Sequence, residues 1–265
     1  MERLIAGGTG LIGQQLVHHW LKQKHIITVV GRDVKKIQQC FGNKVSAMSW
    51  ENFTKLPEHQ LKAFESITNL CGANIGTSRW TPKRKKIIIN SRVQTTEKIV
   101  DKLLPLADQA PRLFNASAIG IYGAQATLPH HLPTSLDETH SIEVIHPANF
   151  LQEIGLAWEQ ATDIAKARGI HVINLRFGVV LTYKGGAFEK LVTPFKLGFG
   201  GKIGSGYQAF SWIHIQDLLS IIDFFTSIQS DTWPYQLCRT ECNITKAFSS
   251  NNCINTTSPL FISFT

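Results

Sequence analysis

Cysteine is sparse and scattered. The 265-residue chain holds five, at Cys40, Cys71, Cys238, Cys242 and Cys253. The number is odd and no two stand at CxxC spacing, which leaves neither a zinc site nor a disulfide framework, so reduced thiols are expected. Charge is also scarce. Charged residues are 17% of the chain against 43% hydrophobic, the balance of a folded domain rather than of a disordered or collagen-like one. Long apolar runs are missing, since no stretch approaches the roughly 18 to 20 apolar residues of a membrane span. Met1 to Gly7 lacks the basic and apolar regions of an export signal. The expectation is a cytoplasmic protein without a membrane partner. The doublet His130-His131 stands in a Pro-rich stretch without further ligands at metal spacing, so no metal is assigned.

Acidic residues are the minority charge. Nineteen Asp plus Glu against 27 Lys plus Arg give a net charge of +8, which draws phosphate-bearing partners wherever the excess gathers. One cluster is Arg79 to Lys86, RWTPKRKK, and another is Lys35-Lys36. Without a helix-turn-helix, zinc-knuckle or RNA-motif signature these read as a solvated basic face, and nucleic acid is not an expected partner.

What is present is a strand–turn–helix opening. Arg3 to Ala6 is an apolar run that ends in Gly7-Gly8-Thr9-Gly10-Leu11-Ile12-Gly13, after which Leu16, Val17, Trp20 and Leu21 recur at helical spacing. His25 to Val30 is a β-branched run of buried-strand type. Further strands are expected at Val45 to Ser49, Ser66 to Leu70, Arg112 to Ser117 and His171 to Arg176, with crossover helices at Lys83 to Leu104 and Phe150 to Arg168. This alternation is that of a Rossmann-type α/β fold, a doubly wound parallel sheet with a small C-terminal substrate-binding portion. Gly185 to Gly206 reads as loop and short helix near a ligand. The stretch from Asp231 onward is rich in Ser, Thr, Asn and Cys and shows no sustained strand or helix period. The sequons at Asn243 and Asn255 read as chance matches.

The glycine turn carries the chemistry. Glycines at 7, 10 and 13 between a strand and a helix let backbone N–H groups approach a diphosphate at the positive helix end. The second strand ends in Val30-Gly31-Arg32-Asp33. An acidic residue at that point would take the adenosine ribose hydroxyls, whereas arginine pairs with a 2′-phosphate. Arg32 therefore favours NADP, and Asp33 one place later leaves NAD open.

With these residues in view, the chain resembles the extended short-chain dehydrogenase/reductases. The resemblance rests on GxxGxxG at Gly7 to Gly13, Asn69 to Ala73, Asn115 to Gly123 (NASAIGIYG), Arg176 to Leu181 and Phe210 to Leu218. Arg79-Trp80, Ser91-Arg92-Val93, Phe150 to Glu159 and Gly185 to Gly206 narrow it to the NAD-dependent epimerase/dehydratase family, the nucleoside-diphosphate-sugar epimerase-like branch. It covers about Met1 to Ile228. It implies a cofactor site at Gly7, Thr9, Gly10, Leu11, Ile12, Gly13 and Arg32, with Leu70 and Gly72 passing near the cofactor and Phe177 and Val179 facing its nicotinamide end. It also implies redox chemistry on a small carbonyl or sugar-like substrate. The assembly left open is a homodimer.

The family's proton-transfer group is a Ser or Thr with a Tyr-x-x-x-Lys pair. Ser117 matches the first and would polarise the reacting oxygen. Counting back from Trp158-Glu159, the tyrosine and lysine slots fall on Leu151 and Gly155, neither of which transfers a proton. Two substitutes are in view: Tyr122, which otherwise packs half-buried, and Glu153, which otherwise is a surface carboxylate. Arg79 and Trp80 could hold an anionic or ring-shaped substrate or simply flank a helix, and His214 and Asp217 read as helix opening and hydrogen bonding. The division is 1–180 for the NAD(P)-binding part, 181–230 for the substrate loops and helix, and 231–265 for an atypical tail of the kind a truncated or frame-altered gene would give. Loss of the Tyr/Lys pair keeps a second role in play, a non-catalytic NADP(H)-binding sensor or regulatory protein.

Overall fold

The computed structural model describes residues 1–123, 136–138, 140, 142, 146–201 and 210–227, with the strand backbone of 209, 235–237 and 239–242. His130, His131, Cys238, Cys253 and the two sequons lie outside the described residues. The first half alternates as expected: β1 (Glu2–Ala6), α1 (Leu11–Lys22), β2 (Ile26–Gly31), α2 (Val34–Phe41), β3 (Ser46–Ser49), α3 (Trp50–Lys55), α4 (Glu58–Lys62), β4 (Ser66–Asn69), α5 (Pro82–Leu103) and β5 (Arg112–Ala118). A 3-10 turn, Ile119–Tyr122, follows. Then come α6 (Phe150–Gln160), α7 (Asp163–Ala167), β6 (Val172–Phe177), β7 (Val179–Thr182), β8 (Gly185–Gly186), α8 (Ala187–Lys196), β9 (Ala209–His214), α9 (Ile215–Ser227), β10 (Tyr235–Leu237) and β11 (Arg239–Cys242).

Seven strands form one sheet in the order β10-β6-β5-β4-β1-β2-β3, and every neighbouring pair is parallel. The strand order reverses between β1 and β4, so the crevice beyond their carboxyl ends is where such a sheet takes a ligand. Leu4, Ile5 and Ala6 are all fully buried, because helices cover both faces. Ile5 packs with Leu16, Val17 and Trp20 of α1 and Leu218, Ile222 and Phe225 of α9. Leu4 and Ala6 pack on the opposite side with Ile99, Val100 and Leu103 of α5. A smaller four-stranded sheet, β11-β9-β7-β8, makes the C-terminal portion.

Two expectations are corrected. The helix read as Phe150 to Arg168 is broken between α6 and α7 at Thr162, whose hydroxyl donates to the Glu159 carbonyl at 2.6 Å. The segment after Asp231 is not without strands, for β10 pairs with β6 and β11 pairs antiparallel with β9. A three-residue and a four-residue strand are too short to show a period, and the partners come from elsewhere in the chain.

Polar residues inside the sheet are tied in a row. Asn69, Asn115 and Asn174 stand opposite one another on β4, β5 and β6 and are all buried. Asn69 Nδ2 donates to Asn115 Oδ1 at 2.8 Å and to Thr96 Oγ1 at 3.0 Å. Asn115 Nδ2 donates to Asn174 Oδ1 at 3.3 Å, and Asn174 Nδ2 to Thr162 Oγ1 at 3.3 Å. A slip of one residue would turn each amide to the other face and leave it unpaired, so the row fixes strand register.

At the opposite end of the strands, α9 is locked to α1. Asp223 accepts from Trp20 Nε1 at 2.5 Å and Gln23 Nε2 at 2.7 Å and pairs with His19 Nε2 at 2.5 Å. Arg3 lies over the Trp20 ring at 4.5 Å and bonds Glu65 at 3.0 Å. Burial opposes ionisation of Asp223, but the hydrogen bonds from Gln23, Trp20 and His19 outweigh it and hold the carboxyl below its ordinary value. A depressed folded pKa contributes stability that is present above the unfolded value of about 3.9 and is lost as pH falls through the folded one. Asp223→Ala should therefore cost about 2 kcal/mol near neutral pH. Urea titrations of both chains should show the difference shrinking below about pH 4, and a difference unchanged into acid would contradict the assignment.

Candidate active site

The turn after β1 is built for close approach. Gly7 has φ 83, and a Cβ there would lie 2.8 Å from the Leu70 carbonyl carbon. At Gly13 a Cβ would stand 2.5 Å from the Gly7 carbonyl oxygen, so α1 can press directly on the turn. Thr9 is pinned by its carbonyl, which accepts from Gln14 Nε2 at 2.9 Å. Gly10 caps α1 without a side-chain hydrogen bond, and the first turn holds no acidic residue. The amides of Leu11, Ile12 and Gly13 are the helix's first and have no partner within it, so the cradle fits a group carrying negative charge.

Arg32 follows β2 and is exposed. Asp33 is engaged otherwise: its carboxylate accepts from the Lys36 amide at 3.0 Å and caps α2. Leu70 walls the turn and packs into two core clusters, as does Phe177, while Val179 is half-buried in β7. Gly72 lies against Arg92, whose guanidinium would be 2.9 Å from a Cβ there. Arg92 stacks on Trp158 at 4.8 Å and donates to the Ala73 carbonyl at 3.1 Å. Burial of the Cys71 thiol pushes its pKa up to about 12, against the pull of Arg32, so it is no nucleophile at neutral pH. Gly186 would meet Leu11 Cδ2 at 2.7 Å, which brings the smaller sheet onto the opening of α1.

Beyond β5 lies a buried ionic cluster. Arg176 bonds Glu159 through two parallel contacts, Nε to Oε1 and Nη2 to Oε2, each 2.9 Å. Its third nitrogen, Nη1, donates to the Tyr122 hydroxyl at 2.8 Å, and the guanidinium sits 5.1 Å from that ring's centre. Ser117 is 2% exposed and donates its hydroxyl proton to Glu159 Oε1 at 2.6 Å. Burial raises the Tyr122 phenol above its ordinary value, Arg176 draws it down, and Glu138 and Glu159 add to the rise. The hydroxyl is thus protonated at neutral pH.

The sequence candidates separate here. Ser117 and Tyr122 come together through Arg176 and Glu159. Ser117 has a single proton to give, and here it is directed to Glu159. Glu153 is exposed in the first turn of α6 and does not join them. It stands six positions before Glu159, so about 240° of helical rotation puts the two carboxylates on different sides. Glu159 and Arg176 were the residues to find, and the signal was there: a lone arginine within the apolar run His171 to Phe177 needs a buried partner.

Position 155 is sterically closed. A Cβ at Gly155 would stand 2.8 Å from Ile121 Cβ, so the 3-10 turn occupies the space that a lysine stem would need. Leu151 packs its Cβ 3.1 Å from where a Cβ of Gly120 would be. Trp80 donates Nε1 to the Ile75 carbonyl at 2.8 Å and meets Phe150 edge-on at 5.1 Å. His214 accepts the Gln216 amide at 3.3 Å, the hydrogen-bonding role expected of it. Among the described residues no group of three or more His, Cys, Asp or Glu is arranged for a metal, and no helix is long and apolar enough to cross a membrane.

Comparison with known proteins agrees with this geometry. The chain is 34% identical over 235 residues to the epimerase family protein SH2119 of Staphylococcus haemolyticus, covering 88% of this chain and 73% of that one. The structure is similar to that of the human epimerase family protein SDR39U1, isoform 2, with NADPH, at a TM-score of 0.73 and 27% identity, over 92% of this chain and 76% of that one. It is also similar to the nucleoside-diphosphate sugar epimerase from Corynebacterium glutamicum, at 0.68 and 25%, over 92% and 48%. The profile of the NAD dependent epimerase/dehydratase family matches residues 3–232, and the chain belongs to that family.

Proposed function

We propose that the chain binds NADP(H) and serves as an oxidoreductase or epimerase on a small carbonyl or sugar-like substrate. The observation that carries the cofactor reading is the division of labour after β2: Asp33 caps α2 through Oδ1, and Arg32 stands exposed at the end of the strand paired with β1. A guanidinium at that place recognises a 2′-phosphate, whereas a carboxylate would be needed for the bare ribose. The human relative's structure with NADPH supports the same choice.

When bound, the dinucleotide supplies or accepts a hydride. The chain's own residues do the rest. Gly7, Gly10 and Gly13 let the backbone reach the diphosphate, and the α1 amides meet its charge. Tyr122, protonated and held by Arg176, is the group able to give a proton to a substrate oxygen. Ser117 acts through Glu159 as a positioning residue. A second reading, a nucleotide-responsive regulator without turnover, is favoured by Leu151 and by the closed space at Gly155.

Arg32→Gln should weaken NADPH binding about tenfold to a hundredfold, the worth of a charge-assisted contact, and leave NADH nearly unchanged. Fluorescence titration of both nucleotides reads this. Equal affinities in the parent chain, or tighter NADH, would remove the 2′-phosphate assignment.

Oxidation of NADPH across aldehydes, ketones and nucleotide sugars decides between enzyme and regulator. Turnover with at least one class is expected, and none at full cofactor occupancy would establish the regulatory reading.

A further inference from the structure

We propose that Arg176, a strand residue, does for Tyr122 what the family's helical lysine does for its tyrosine: it holds the phenol and shelters the charge left on the oxygen after the proton has gone to substrate. Tyr122 is then the catalytic residue and Arg176 the positioning residue, with Glu159 fixing Arg176. This rests on the reading that the chain binds a nicotinamide dinucleotide and moves a proton at the substrate oxygen.

The hydrogen-bond directions fit this arrangement. A guanidinium only donates, so at 2.8 Å the Tyr122 oxygen accepts from Nη1, and among the described residues its own O–H has no acceptor. The remaining donors of Arg176 are engaged by Glu159 in a fork-to-fork pair, which fixes the guanidinium plane. Glu159 in turn is held by the Ser117 hydroxyl. Glu159 and Arg176 are each fastened from two sides, and among the described residues none takes the phenol's proton.

The proton step balances. The Tyr122 O–H bond breaks and a substrate O–H bond forms on the oxygen that takes up its carbonyl electron pair as hydride reaches carbon. The phenolate accepts the Nη1 hydrogen bond, and water restores the proton. A lysine on α6 could not assist, because Ile121 fills the space beside Gly155. An arginine from β6 approaches the ring from the sheet instead. The ionisable groups around the phenol are Arg176, Glu159 and Glu138, with the His140 ring centre 6.4 Å from its own.

The test reads the phenol itself. The chain has four tyrosines, so ζ-carbon-13 labelling gives few NMR signals, and Tyr122→Phe identifies the one of interest. In the full-length chain, Arg176→Met should lower the Tyr122 ionisation constant tenfold or more, and Arg176→Lys should restore most of it. The double variant Arg176→Met/Glu159→Gln avoids a stranded buried carboxylate and should also lower it. Disruption of the fold would do the reverse, moving Tyr122 down toward the free phenol value of about 10. An unchanged or eased ionisation in folded Arg176→Met, or in the folded double variant, would overturn the proposal. A parent chain that binds neither NADPH nor NADH would defeat the underlying cofactor reading, a result independent of the tyrosine signal.

Discussion

A buried polar group must find a partner, and in this chain that requirement runs as one line from β4 across β5 to β6. It starts at Asn69, crosses Asn115 and Asn174, passes through Thr162 to the Glu159 carbonyl, and continues from the Glu159 side chain to Ser117, Arg176 and Tyr122. Ser117 and Arg176 are opposite one another in register, two residues beyond the paired asparagines. The pairing that sets strand register therefore also sets the position of the phenol, because breaking either part leaves amide or charge unpaired in a dry interior.

Close packing governs the neighbouring helix as well. At Gly155 two surfaces come too close for any side chain. The 3-10 turn that carries Tyr122 packs on α6 through Gly120 and Gly155, and Tyr122 meets Arg176 from that turn. A lysine at position 155 and the observed packing of Ile121 exclude one another.

Much of the fold was legible. The β-branched and apolar runs named the first six parallel strands within a residue or two, since a strand covered on both faces leaves a continuous apolar signature. The glycine turn was legible for a different reason: spacing of residues that lack a Cβ reports directly on backbone approach. What escaped was pairwise. Glu153 and Glu159 lie on the same helix and differ in which side they present, and the sequence gives no phase until a neighbour is known. Asp33 reads equally as a ribose ligand or a helix cap, and only the structure shows its Oδ1 taken by the Lys36 amide.

The amino acids in order determined the alternation of strands and helices, the cradle at Gly7 to Gly13, and the presence of a cationic residue after the second strand, because each depends on neighbours within a few positions. Only the tertiary structure decided the partner of Arg176, the fate of the Ser117 proton, and the attachment of Tyr235–Leu237 and Arg239–Cys242 to two different sheets. Those outcomes depend on residues tens of positions apart being desolvated together, and no local pattern encodes which buried donor will meet which acceptor.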